Sequence, residues 1–205
     1  MKKLLLVVWS LALLTSCNSG PSQSAQTEKP KPKEPEIVTG RFAFQKLYIT
    51  ARGWARDAEP FRLESLPNPD SNGQDGKSSV WRASFASPQE RSVKPYVWSG
   101  SNSPDAPSRG MNPGTEDSYS PGNASTQVFD IAFLKVDSDK ALETAQKHGG
   151  DKVLEKAPTT PVQYMVEWNR ATNQLVWHVI YGSETDAKLR VAVDASSGAF
   201  IRVEK

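Results

Sequence analysis

The pattern of apolar and polar residues divides the chain into an apolar start, a polar stretch, and a long patterned remainder. In the remainder, apolar residues recur at helical spacing from Phe44 to Ala58. This spacing predicts an amphipathic helix whose apolar stripe faces a core. Thr39 stands where a helix N-cap is expected, and Pro60 stands where the helix must end.

Strands are predicted where apolar and polar residues alternate or where β-branched and aromatic residues cluster. They cover 61–66, 80–86, 92–98, 128–136, 162–169, 175–181, 189–194 and 199–203. A second helix is predicted over 139–147, with an αL stop at its end and a weakly helical continuation over 151–156. Residues 100–126 contain almost nothing to bury, which favours a mobile loop.

This order of elements predicts an α+β fold in which antiparallel sheets pack against helices. The helix-then-strands pattern occurs twice, which indicates two units in tandem, the first over about 37–99 and the second over about 127–205. Together they make one domain over 37–205, a length that suits a single core. Residues 17–36 precede it and are rich in proline and serine. At about 3.1 Å per residue in extended polyproline geometry, they predict a stalk that reaches roughly 60 Å.

Residues 1–16 have the features of a secretory signal peptide. A basic head, Met1-Lys2-Lys3, precedes an apolar run of about eleven residues, which is too short to span a bilayer stably. The run ends in Leu14-Thr15-Ser16-Cys17, which resembles the lipobox of bacterial lipoproteins. The resemblance implies that Cys17 receives a lipid such as palmitate and becomes the new N-terminus. The alternative is an ordinary cleaved signal in which the cysteine falls at this place by chance.

The lipobox resemblance also implies where in the cell the protein is located. Lipid chains would hold it at a membrane of the cell envelope. Asn18 is not the aspartate that resembles the inner-membrane retention signal of enteric bacteria. In an organism with two membranes, this favours the outer membrane, with the protein facing the periplasm.

Composition and charge argue against some classes of partner and of catalysis. The chain has 25 Lys and Arg against 23 Asp and Glu, and without Lys2 and Lys3 of the signal it is formally neutral. A neutral chain has no global field to attract nucleic acid, so no nucleic-acid partner is predicted. Cys17 is the sole cysteine, so its acylation would exclude both disulfides and thiol catalysis.

Near the C-terminus, a strand that carries a tryptophan, Leu175 to Tyr181, precedes a strand from Leu189 that ends in Asp194-Ala195-Ser196-Ser197-Gly198. With the short strand that follows, residues from about 137 to 205 resemble the PepSY domain. The resemblance implies a non-catalytic module, found in protease propeptides and in exported or membrane-bound proteins. Some members are thought to restrain peptidases or to bind envelope partners. Asp194 would accept backbone NH groups in an Asx-turn, and Gly198 would supply a positive φ.

Candidate chemistry outside these motifs is sparse. His148 and His178 are the only histidines, and no G-x-S-x-G, P-loop, dinucleotide-binding or EF-hand spacing occurs. No catalytic residue, metal or cofactor is therefore predicted. The tryptophans on predicted strands belong either to the core or, if they share one open face, to a groove for a peptide or glycan. They are Trp81, Trp98, Trp168 and Trp177.

The leading hypothesis is a lipid-anchored envelope protein whose PepSY-like module binds a macromolecular partner and performs no chemistry. The partner would be an envelope protein or a peptidase that the module restrains. One alternative is a carrier that holds a small apolar ligand between helix and sheet. A second alternative is a hydrolase or metal-dependent enzyme.

Overall fold

A computed structural model describes residues 33–204, which form an α+β fold as predicted. Cys17 and the predicted signal peptide lie outside the described residues. In chain order the elements are β1 (Val38–Thr39), α1 (Gly40–Trp54), β2 (Glu59–Ser65), β3 (Lys77–Ser78), β4 (Val80–Ser87), β5 (Ser92–Ser99), β6 (Gly110–Pro113), β7 (Asp117–Ser118), α2 (Ser138–Ala145), α3 (Asp151–Lys156), β8 (Val162–Asn169), β9 (Gln174–Gly182), β10 (Ala187–Asp194) and β11 (Phe200–Glu204).

Nine of these strands form one antiparallel sheet in the order β11-β10-β9-β8-β2-β4-β5-β6, and β7 also pairs with β5. The first long strand of each half, β2 or β8, lies at the centre, where Leu63 is the cross-strand partner of Val166. Helix α1 packs on β2, β4 and β5, and α2 packs on β9 and β10. The helix-then-strands order therefore recurs on either side of the β2–β8 pair.

Helix α1 buries its small and aromatic residues against the sheet, including Ala43, Phe44 and Ala51. The helix ends at Trp54, so the prediction that it continues to Ala58 is wrong. The Asp57 carboxylate accepts hydrogen bonds from the Ser87 hydroxyl (2.7 Å) and from a backbone NH in the β4–β5 turn (2.9 Å). These bonds hold the chain in a turn where the apolar pattern alone would have extended the helix.

The N-termini of α1 and α2 meet at one carboxylate. Asp137 accepts hydrogen bonds from the backbone NH groups of Arg41 (2.8 Å) and Ser138 (2.7 Å), one at the start of each helix. The hydroxyl of Ser138 accepts a third, from the NH of Gly40 (2.8 Å). Thr39 occupies the predicted N-cap position, but its hydroxyl donates to Asp137 (2.7 Å) and does not cap the helix. A residue of the second half thus caps the first helix.

The apolar stretch 128–136 forms no strand, so that prediction is wrong. Phe129 and Leu134 are buried and anchor its two ends in the core. Between them, the Asp130 carboxylate accepts a backbone NH (2.8 Å) and stabilises a short 3₁₀ turn, Ile131–Phe133. The high β propensity is overridden because the segment spans two anchor points and pairs with no strand.

The segment 100–126, predicted to be one mobile loop, contains the short strands β6 and β7. They pair with the two ends of β5 and leave Pro95 unpaired between them. Proline has no NH to donate to a ladder, so this gap leaves no donor of Pro95 without a partner. The carbonyl of Pro95 instead accepts the NH of Gly114 (2.8 Å).

The last four residues of the predicted stalk, 33–36, contact the domain. The backbone NH of Glu36 donates to the Gly100 carbonyl (2.9 Å). Arg109 donates to the carbonyls of Glu34 (2.9 Å) and Gly100 (3.1 Å). Residues 33–36 therefore pack against the domain that was predicted to start at 37.

The second half has the predicted turns. A kink over Gln146–Gly150 joins α2 to α3, and Gly149 has the expected positive φ of 115°. At the end of β10, the Asp194 carboxylate accepts the NH groups of Ser196 and Ser197, both at 2.8 Å, and Gly198 has a φ of 79°. Both the αL stop and the Asx-turn are confirmed.

Candidate functional site

Because side chains alternate along a strand, the sheet has one face under the helices and one face open. Leu63, Trp81 and Val166 point toward the helices and are fully buried. Their strand neighbours point the other way and carry most of the charge in the sheet. We call this surface the open face; its charged residues and histidine include Arg62, Glu64, Arg82, Glu167, His178, Arg190, Arg202 and Glu204.

Two cross-strand ion pairs lie at the centre of the open face. Arg62 and Glu167 are direct partners on β2 and β8, with nitrogen and oxygen 2.7 Å apart. Glu64 and Arg82 are direct partners on β2 and β4, also at 2.7 Å. Opposite charges in this position favour the observed strand register. Burial lowers the pKa of Arg62, but the charge and hydrogen bond of Glu167 outweigh it, so the net pKa is raised.

His178 lies between two carboxylates on the open face and is only 7% exposed. Its Nδ1 is 2.6 Å from Glu204, and its Nε2 is 3.9 Å from Glu167. The two carboxylates therefore approach opposite edges of the imidazole and do not converge on one point. Residues 33–204 contain no group of three His, Cys, Asp or Glu side chains arranged to hold a metal ion.

Glu204 joins this row of charges to the edge strand. Burial raises the pKa of Glu204, but the hydrogen bond from His178 and the charges of His178 and Arg202 outweigh it, so the net pKa is lowered. Arg202 donates to the second oxygen of the same carboxylate at 2.6 Å. Because an ionised carboxylate can only accept, His178 donates its Nδ1–H to Glu204.

A groove of about 710 Å³ lies over the part of the open face that β8 to β11 form. We call it the open-face groove. It is lined by Ala124, Glu167, Trp168, Asn169, Arg170, Ala171, His178, Arg190, Arg202, Val203 and Glu204. Its volume is within the range of known ligand sites, and its lining is mostly polar.

The four tryptophans do not share an open surface, so the predicted aromatic groove is wrong. Trp81, Trp98 and Trp177 are buried beneath the helices, and Trp81 and Trp177 each donate a ring NH to a backbone carbonyl at 3.0 Å. Only Trp168 is half-buried; it packs against Phe133, with ring centroids 5.4 Å apart, and lines the open-face groove. The core alternative in the sequence analysis is correct for the other three.

The charged residues of the open face were not singled out from the sequence. A signal was present, because His178 interrupts an otherwise apolar strand and Glu167 lies between Val166 and Trp168. A charged residue at an alternating position of such a strand indicates a face that helices do not cover.

The two histidines lie on different faces. His148, at the kink between α2 and α3, stacks on Phe200 with ring centroids 3.7 Å apart and planes 7° apart. His178 lies on the open face, so the structure does not bring them together. Among the described residues, neither imidazole has a hydrogen bond to a serine hydroxyl.

The space between α1 and the sheet is filled. Gly40 lies so close to the Trp177 ring that a Cβ there would be 2.8 Å from a ring carbon, and Trp81 is almost as close. This close packing gives no support to the apolar-ligand carrier. Separately, within residues 33–204 no helix combines the length and apolarity needed to cross a bilayer.

Comparison with known proteins gives a fold likeness. The sequence matches no family model and no curated protein. A crystal structure of a candidate lipoprotein from Clostridium difficile 630 has a similar fold, with a TM-score of 0.53 and 10% sequence identity. The match covers 79% of this chain and 91% of that chain. At this identity the likeness shows a shared fold alone.

Proposed function

We propose that this protein is a lipid-anchored component of the cell envelope whose domain binds another macromolecule through the open face. The lipobox ending at Cys17 supports the anchor, and the likeness to a candidate lipoprotein agrees with it. In an organism with two membranes, the protein belongs on the outer one and faces the periplasm.

One observation carries the binding role: half of a large sheet leaves its polar face uncovered and forms a groove there. Glu167, His178 and Glu204 contact each other or arginines, and none contacts a serine hydroxyl. Such an arrangement holds side chains in fixed positions for recognition. A non-catalytic binding role therefore fits the groove better than hydrolysis does.

The PepSY resemblance suggests a more specific class of partner. Some members of that family are thought to restrain peptidases, and we propose an envelope peptidase as the first partner to test. Asp194 and Gly198, which carry the resemblance, form a turn and serve the fold.

The anchor is tested by changing the one cysteine. We expect mass spectrometry of the wild-type N-terminal peptide to show a lipid on Cys17, and Cys17→Ser to move the protein out of the membrane fraction. An unmodified thiol in cells, or a C17S protein that stays with the membrane, would refute the anchor.

The binding role is tested by photo-crosslinking in cells. A photoreactive amino acid at position 171, in the lining of the open-face groove, is expected to capture a defined envelope partner. The matched control is position 49, where Ile49 is 73% exposed on α1, which packs on the other face of the sheet. Equal capture from both positions, or none from 171, would count against the open face as the binding surface.

A further inference from the structure

We propose that the open-face groove recognises an acidic polypeptide segment in extended conformation, with its carboxylates on Arg170 and Arg190. The inference rests on the proposed binding role of the open face and names the chemistry of the ligand.

The charged side chains that line the groove differ in whether they have an ion-pair partner within the protein. Glu167 is neutralised by Arg62 at 2.7 Å. Glu204 is held by Arg202 and by His178, both at 2.6 Å. Both carboxylates of the groove lining are therefore paired within the protein.

Arg170 and Arg190 form no salt bridge with any of the described residues. Arg190 donates only to the Glu184 carbonyl, at 3.2 Å, and Arg170 is exposed in the β8–β9 turn. Both line the open-face groove. Two guanidinium groups beside neutralised carboxylates leave a net positive groove, and carboxylates are the groups that arginine binds best in bidentate geometry.

The edge of the sheet favours a polypeptide over other anions. Arg202 and Val203 of β11 line the groove, and β11 pairs only with β10 within the described part of the chain. Its outer backbone NH and carbonyl groups can therefore pair with an added extended strand. Trp168 supplies an aromatic surface beside Arg170 for an apolar side chain of the same segment.

The test measures fluorescence anisotropy of a labelled ten-residue peptide that alternates glutamate and valine, with the full lipidated chain in detergent micelles. We expect binding that weakens as salt rises. The same peptide with glutamine in place of glutamate should bind at least about 10-fold more weakly, as expected for the loss of charge-assisted hydrogen bonds.

The variants locate the site. The double variant R170Q/R190Q is expected to weaken binding of the acidic peptide about 10-fold or more. Its control, Arg52→Gln, removes an exposed arginine from α1 and should leave the affinity within about twofold. N-methylation of alternate peptide nitrogens should also weaken binding, because it removes donors to the edge of β11.

Three outcomes would overturn the inference. They are equal binding of the glutamine peptide, an unchanged affinity in R170Q/R190Q, and displacement of the peptide by oligogalacturonate at lower concentration than by unlabelled peptide. The last would indicate an anionic glycan. Capture of an envelope partner from position 171 is measured separately, so the proposed binding role can stand when this inference fails.

Discussion

The two faces of the large sheet differ in how they use the same strands. The face under the helices carries Trp81, Trp177 and Tyr164, which are at most 1% exposed. The open face carries arginines, glutamates and one histidine, which pair with each other across strands. The helix-covered face is held by burial of large apolar side chains, whereas the open face combines charge pairs with smaller buried residues such as Val176, Ile180 and Ala192.

Because of this difference, the helix-covered face supplies most of the stability of the fold, and the open face is available for recognition. Burying a large aromatic side chain contributes several kcal/mol, whereas an exposed ion pair contributes at most about 1 kcal/mol. Charged residues of the open face can therefore be substituted with little loss in the free energy of unfolding. The groove on that face is then free to fit a partner.

Trp177→Ala should lower the free energy of unfolding by about 3–5 kcal/mol, because it leaves a cavity under α1 and α2 and removes the bond from its ring NH to the Val136 carbonyl. Urea denaturation followed by circular dichroism measures the loss. Trp168→Ala is the matched control at the half-buried position and should cost less than half as much. Equal losses would show that the degree of burial does not set the cost of removing these side chains.

Asp137→Ala should cost about 1–3 kcal/mol, because two helix N-termini lose their shared acceptor. The control is Asp139→Ala, whose carboxylate accepts only the neighbouring NH of Lys140. The same denaturation experiment compares them. If the two variants had the same stability, Asp137 would not join the two halves.

Acid should weaken the open face through Glu204. The pKa of Glu204 in the folded state is lower than 4.5, its ordinary value. Its ionised form therefore stabilises the fold above about pH 4.5, and this contribution is lost as the pH falls through the folded-state pKa. Stability measured between pH 7 and 3 should fall less steeply in Glu204→Gln than in the wild type. A parallel pH profile would contradict this assignment.

The smallest effect is expected at the central ion pair. Arg62 and Glu167 are each about one-third exposed, so solvent screens them. A double-mutant cycle with Arg62→Gln and Glu167→Gln should give a coupling of about 0.2–1 kcal/mol that shrinks in high salt. A coupling above about 2 kcal/mol would show that the open face also carries much of the stability.

Local patterns in the sequence were enough for most elements of the fold. Strand alternation predicted β2, β4, β5 and β8 to β11 within a few residues, and the Asx-turn at Asp194 followed from its own side chain. These features depend on contacts between residues near each other in the chain. The α+β class followed from their order.

The failed predictions involve contacts between distant residues. The end of α1 depends on Asp57 reaching Ser87, and its capping depends on Asp137. The stretch 128–136 is strand-like in composition but lies between two anchors in the core.

Local sequence patterns were sufficient for most of the elements, for a formal charge of zero once Lys2 and Lys3 of the signal are left out, and for the motif at Cys17 from which we infer the anchor. Which face the helices cover depends on packing between distant elements, and this packing makes three tryptophans core residues while His178 and Glu204 line a groove. The physical reason is that alternation gives each strand two faces, but only packing between distant elements decides which of them meets water.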